Sequence, residues 1–208
     1  MIAIVDYGMG NLRSVQKGLE RLGFTAFITD RKEDILEARG VILPGVGAFG
    51  DAMKNIGSLG LEQTLREFAG SGRPFLGICL GLHLMFEGSE EHGWHQGLSL
   101  LKGKVVRLPA GLKVPHMGWN QIFCLRREPI LEGIPEGSYF YFVHSYYVQA
   151  DNPQVIGAVS EYGVVIPAVI SWQNLIGIQF HPEKSSTLGL KILQNFGEMV
   201  RHADHTSD

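Results

Sequence analysis

The feature that most restricts the fold is an alternation running through the first half of the chain. Short apolar runs, MIAIV, TAFIT, GVILPG and PFLGI, are separated by stretches with helical spacing. NLRSVQKGLERLG places Leu12, Val15, Leu19 and Leu22 three or four residues apart, and Gly23 can close that helix. KEDILEA and residues 48–56 and 61–68 supply the later helices. Strands joined through helices return in the same direction, so this order predicts a parallel sheet wrapped by helices.

The second half changes character. GKVVRL, WNQIFCL, YFYFVHSYYV, VIGAVSEYG and PAVISWQ are predicted strands linked by Gly, Pro and Asn turns, which favours antiparallel or mixed pairing. NLIGIQF is a further buried strand and STLGLKILQNFGEMV a closing amphipathic helix. No linker or repeat interrupts the 208 residues, so one domain over 1–208 is expected, with HADHTSD at 202–208 frayed. The fold class expected is α/β: a mixed, largely parallel open sheet flanked by helices, with antiparallel additions in the second half.

Composition serves mainly to exclude. A formal net charge of -3 leaves no electrostatic footprint for nucleic acid or an anionic membrane. No apolar run approaches the roughly 18 residues a membrane helix needs. The opening MIAIV lacks a basic leader and is expected to be a first strand, not an export signal. The two cysteines, Cys79 and Cys124, are then expected to be reduced thiols in the cytoplasm.

Gly77-Ile78-Cys79-Leu80-Gly81 follows a predicted strand and opens a predicted helix. It has the form of a nucleophile elbow with Cys at the centre. A sharp strand-to-helix corner crowds the backbone, which calls for flanking glycines, and the helix N-terminus favours a thiolate. A buried structural cysteine is the competing explanation; the two-glycine frame favours the nucleophile. Cys124 lies in the ordinary alternating strand NQIFCLRR and is expected only to pack.

Eight histidines compete to be its base. His92 and His95 fall in a polar loop without the further Cys/His cluster a metal site needs, so neither metal nor cofactor is expected. His202 and His205 lie in the tail, His116 in an apparent loop, and His144 in a strand where burial would explain it. His181-Pro182-Glu183 follows NLIGIQF directly, at the edge where a parallel sheet exposes its strand ends. If extended, residues 181 and 183 project to one side, so the carboxylate can orient the imidazole. A helix entry, with Pro182 and Glu183 in the first turn of the last helix, is compatible with this. His83 is nearer in sequence, but Cys79 sits at the corner and no carboxylate is placed to orient His83. The set expected is Cys79, His181 and Glu183.

Two glycine turns remain. Pro44-Gly45-Val46-Gly47 follows a strand and can present backbone N–H groups to an anion, although a plain loop would look the same. Gly8-Met9-Gly10 has Arg13 where a dinucleotide fingerprint needs its third glycine, which makes that reading a distant one.

Taken together, DYGMGNLRSV, LPGVGAFGDAM, LGICLG, VPHMGWN, YFVHSYY and GIQFHPEKS resemble the class I, triad-type glutamine amidotransferases. They span nearly the whole chain in the expected order. The resemblance implies a flavodoxin-like sheet and hydrolysis of the L-glutamine side-chain amide through a thioester on Cys79. It further implies an oxyanion held by the N–H of Leu80 and one from Gly45–Gly47, with Val46 the expected donor. Gly45, Gly47, His83, Glu91, Ser145 and Tyr146 match glutamine-contacting positions, Glu91 facing the α-amino group. Asn11, Trp119 and Lys184 match positions at or near a partner interface.

VPHMGWN and LPGVGAF narrow the resemblance to members that work as heterodimers with a (β/α)8-barrel cyclase subunit in histidine biosynthesis. His83 departs from the usual glutamine at its position. The residues alone leave open a stand-alone cysteine hydrolase, an amidotransferase feeding another synthase, and a non-enzymatic or nucleotide-binding subunit.

Overall fold

Residues of β1 (Ile2–Val5) alternate between two hydrophobic clusters, Ala3 and Val5 in one, Ile2 and Ile4 in the other. β3 (Gly40–Gly45) divides the same way, with Val41 and Leu43 opposite Ile42. Such a strand is buried on both faces, as the continuous apolar runs of a parallel sheet require. The structure, a computed structural model, describes residues 1–203.

β1, β2 (Ala26–Thr29), β3, β4 (Phe75–Cys79) and β14 (Leu175–Ile178) run parallel. β13 (Val165–Trp172), β12 (Ile156–Glu161) and β9 (Phe123–Cys124) extend them antiparallel. Among the described residues this main sheet has eight strands, in the order β2-β1-β3-β4-β14-β13-β12-β9. α2 (Lys32–Glu37), α3 (Phe49–Ser58), α4 (Glu62–Gly70) and α5 (Leu80–Leu84) cover one face, contributing Ile35, Phe49, Leu65 and Leu82. α1 (Leu12–Arg21) and α6 (Ser186–His202) cover the other with Val15, Leu19, Ile192 and Phe196. Each such side chain contributes about 1.5–3 kcal/mol by leaving water, so both layers are held by burial. Gly23 takes φ +82° just after α1, as expected of a glycine that ends a helix.

Two smaller sheets stand beside the main one. β8 (His116–Gln121) pairs antiparallel with β10 (Tyr139–His144). β11 (Tyr146–Ala150), β7 (Gly103–Arg107), β5 (Gly88–Ser89) and β6 (His95–Gln96) form the other, in that order.

Several local expectations are corrected. YFYFVHSYYV is two strands in different sheets, broken at Ser145, and WNQIFCL divides into β8 and β9 around Ile122. Periodicity shows each stretch as extended but not where its partner changes. His116 starts a strand where a loop was expected, and His95 lies in β6, a strand too short to show a period. Pro182–Lys184 forms its own 3-10 turn, separated from α6 by Ser185, and so is not the first turn of that helix. His202 ends α6 and is not frayed; residues 204–208, with His205, lie outside the described residues.

Candidate active site

β4 lies between β3 and β14, with Gly45 opposite Cys79 on one side and Ile178 opposite Ile78 on the other. The carboxyl ends of three strands therefore converge on the cysteine, where open α/β sheets bind ligands. Cys79 has φ 53° and ψ −106°, a positive-φ conformation that costs a non-glycine residue strain. The flanking glycines make the corner possible. A Cβ on Gly81 would stand 1.7 Å from the Leu43 carbonyl oxygen, and one on Gly77 would meet the Gly81 and Leu82 backbone at 2.7 Å. The backbone can turn this sharply only without those two side chains.

His181 comes off the end of β14 with backbone φ −101° and ψ 101°. The 3-10 turn of Pro182–Lys184 that follows, not continued extension, brings Glu183 back beside it, and Nδ1 lies 2.8 Å from Glu183 Oε1. Both side chains are 2% exposed. The Asn11 amide donates to the same Oε1 at 3.1 Å. Ser185 fixes the segment: its hydroxyl donates to the His181 carbonyl at 2.6 Å and accepts the Tyr141 N–H at 2.9 Å.

Burial pushes the His181 imidazole down, but the charge of the neighbouring Cys79, followed by Glu183, outweighs burial and raises the group to about 10. Burial pushes Glu183 up, and the hydrogen bond and charge of His181, with the Asn11 amide, hold it below its ordinary value. Since Nδ1 faces Glu183, Nε2 is the nitrogen left for the sulfur. Nε2 has no well-formed hydrogen bond among the described residues, as in free enzymes whose catalytic contacts tighten only when substrate binds. The arrangement can carry out acyl transfer: a thiolate generated beside an imidazolium that a buried carboxylate orients.

A cavity of about 490 Å³ opens over Cys79. Val46, Gly47, Leu80, His83, Glu91, Ser145 and Tyr146, together with Asn11 and Lys184, line it. Leu80 begins α5, whose first-turn N–H groups have no partner within the helix. Gly45 lies beneath the wall instead, where a Cβ would meet the Tyr7 hydroxyl at 2.3 Å. Glu91 Oε2 accepts the Phe49 N–H at 2.8 Å, so its charge sits at the positive end of α3. Trp119 lies outside the cavity, 53% exposed on β8, its ring 6.1 Å from that of Tyr141, over which Lys184 Nζ stands at 5.9 Å. A larger hollow of about 790 Å³, between Cys124 and Glu136, holds none of the expected site residues, so size alone would mislead. Among the described residues no group of three or more His, Cys, Asp or Glu could hold a metal ion.

Other polar groups near the site gave no sequence signal. Gln179 is fully buried, and its amide donates to Cys79 Sγ at 3.8 Å and pairs with His83 Nε2 at 2.8 Å. Tyr7, raised by burial, donates to the Pro44 carbonyl at 2.7 Å beneath the glycine turn. His144 Nδ1 donates to the Tyr146 carbonyl at 2.9 Å, which leaves Nε2 to accept from His116 Nδ1 at 2.9 Å. A hydrophobic strand offers no sign of the Gln179–Cys79, Gln179–His83 and His116–His144 pairs, because each joins residues far apart in sequence. The GxG of Gly8–Gly10 also finds its use: Gly8 and Gly10 take φ +83° and +122°, so the loop is glycine-rich for its backbone conformation.

Fold and site together define a doubly wound α/β protein with a cysteine at its strand-to-helix corner and a carboxylate-paired histidine beside it. The family "Glutamine amidotransferase class-I" matches residues 3–200, and the chain belongs to that family. It is 57% identical over 202 residues to "Imidazole glycerol phosphate synthase subunit HisH" of Moorella thermoacetica, covering 97% of this chain and 96% of the relative. The same-named protein of Bacillus subtilis is 51% identical over 206 residues, with 96% and 97% covered. Among solved structures, a glutamine amidotransferase superposes with a TM-score of 0.76 at 20% identity, covering 97% of this chain and 100% of that one. At that identity the likeness concerns the fold.

Proposed function

We propose that the chain is the glutaminase subunit of an imidazole glycerol phosphate synthase, acting in histidine biosynthesis. The pathway rests on the HisH relatives and the chemistry on one arrangement: Cys79 at a strained corner, beside a His181 that Glu183 orients. Cys79 attacks the side-chain amide carbon of L-glutamine after His181 takes its proton. The N–H groups of Leu80 and Val46 receive the oxyanion. His181 then protonates the departing ammonia, and water releases glutamate from the thioester.

Glu91 faces the substrate α-ammonium, while Gly47, His83, Ser145 and Tyr146 shape the rest of the pocket. Ammonia passes to a (β/α)8 cyclase that makes imidazole glycerol phosphate and aminoimidazole carboxamide ribotide. Asn11, Trp119 and Lys184 lie on the side that meets this partner.

Ammonia release from glutamine, measured with and without the cyclase and its phosphoribosyl ligand, tests the assignment. Activity is expected to be low alone, to rise with partner and ligand, and to vanish in Cys79→Ala. Glutaminase activity indifferent to the cyclase would overturn the pathway; activity surviving Cys79→Ala would overturn the nucleophile.

A further inference from the structure

Cys79 Sγ has neighbours other than the imidazole. On one side it donates to the Val143 carbonyl at 3.9 Å, a contact that serves the thiol and opposes the thiolate. On another stands Gln179, fully buried at the end of β14, with Nε2 3.8 Å from the sulfur. An amide turned the other way would set a carbonyl oxygen against a developing negative charge. In the orientation seen, the amide oxygen is turned to His83, whose Nε2 lies 2.8 Å from Gln179 Oε1. That contact requires Nε2 to carry its hydrogen and donate. Burial pushes His83 down to about 4, so near neutrality the ring is a neutral donor and adds no charge.

We propose that Gln179 is a second hydrogen-bond donor to the catalytic thiolate, and that His83 is the positioning residue that aims it. The inference rests on Cys79 being the nucleophile. His83 thus acts through Gln179 as well as lining the glutamine cavity. When the proton leaves Sγ for His181, the Val143 contact turns repulsive while the Gln179 contact strengthens, because hydrogen bonds to charged acceptors are about twice as strong. The thiolate then rests on a neutral donor that does not titrate with it.

The titratable groups around the sulfur are His181 and Glu183 after β14, Tyr7 after β1, His83 in α5 and His144 in β10, with Glu91, Tyr146 and Lys184 lining the same cavity. The measurement must therefore separate the amide from these. Alkylation of Cys79 by iodoacetamide in the full chain, followed peptide by peptide by mass spectrometry across pH, does so without needing turnover. Gln179→Met is expected to move the pH midpoint of alkylation up by about one unit and to slow the reaction about tenfold below it. His83→Leu should shift it the same way by less, and His83→Gln, which restores a donor, should return the wild-type curve. The double variant His83→Leu/Gln179→Met should match Gln179→Met alone, since His83 acts through the amide.

Superimposable curves for wild type and Gln179→Met, or additive shifts in the double variant, would overturn the proposal. Should Gln179→Met fail to fold, His83→Leu against His83→Gln decides alone: equal curves overturn it. If Cys79 is not the nucleophile at all, Cys79→Ala retains glutaminase activity, a separate result from either curve.

Discussion

At the residue scale the corner at Cys79 is the most demanding feature, because its positive φ is tolerated only while Gly77 and Gly81 stay bare. Gly81→Ala drives a Cβ into the Leu43 carbonyl, a backbone atom that cannot swing away. Its cost is expected to be on the order of 3 kcal/mol, read as a lower urea midpoint against wild type. The triad makes a different demand. Glu183→Gln keeps shape but removes the charge that holds the imidazolium, so kcat should fall about 100-fold or more with little change in KM.

The sign of the pH effect follows from the direction of the shift. His181 is raised from 6.5 to about 10 in the folded chain, so its stabilisation is complete below 6.5 and fades as pH climbs towards 10. Denaturation midpoints at pH 6, 8 and 10 should show wild type losing stability over that range and His181→Gln losing less. The residues proposed as the triad were legible in the sequence because a glycine frame and an HPE segment are local patterns. Gln179, Tyr7 and the Asn11–Glu183 bond were not, since each is made by chain segments far apart in sequence.

At the scale of elements, β8 and β10 carry the second buried polar system. His116 is stacked between Phe142 and Tyr162, at 5.0 and 4.0 Å between ring centroids, and hydrogen-bonded to His144. Burial pushes His116 down to about 4, and burial with its histidine neighbours pushes His144 to about 3. A base whose folded pKa is depressed stabilises the fold above its unfolded value, near 6.5, and loses that contribution as pH falls. Between 6.5 and about 4 the unfolded chain takes up protons that the folded pair refuses. His116→Phe should therefore lose less stability than wild type between pH 7 and pH 5, whatever its midpoint at pH 7; an unchanged pH dependence would contradict the neutral pair.

These strands also show the limit of periodicity. The sequence presents YFYFVHSYYV as one extended run, yet Ser145 hands the chain from the β8–β10 sheet to β7. Alternation reports which residues are extended, whereas the partner of a strand depends on packing elsewhere.

For the whole molecule, the exposed side of β8 is the face proposed above to meet the partner. Trp119 pairs in register with Tyr141, and the Tyr141 backbone accepts the His181 N–H at 2.9 Å. An aromatic anchor on this face is thus two short contacts from the base. Trp119→Ala is expected to weaken cyclase binding about tenfold or more in titration while leaving the melting temperature within a degree or two, because the indole is half exposed. An unchanged affinity would remove Trp119 from the interface.

Read alone, the sequence yielded the α/β architecture and the residues proposed here as nucleophile and orienting pair. Each is written as a local pattern: strand–helix alternation, a glycine frame, a histidine and a glutamate two residues apart. It took the folded chain to show which strands neighbour β4, that Asn11 bonds Glu183, and that Gln179 touches both His83 and Cys79. The physical reason is that a buried polar group finds its partner through chain folding, between positions as distant as 83 and 179, and no spacing along the chain encodes that meeting.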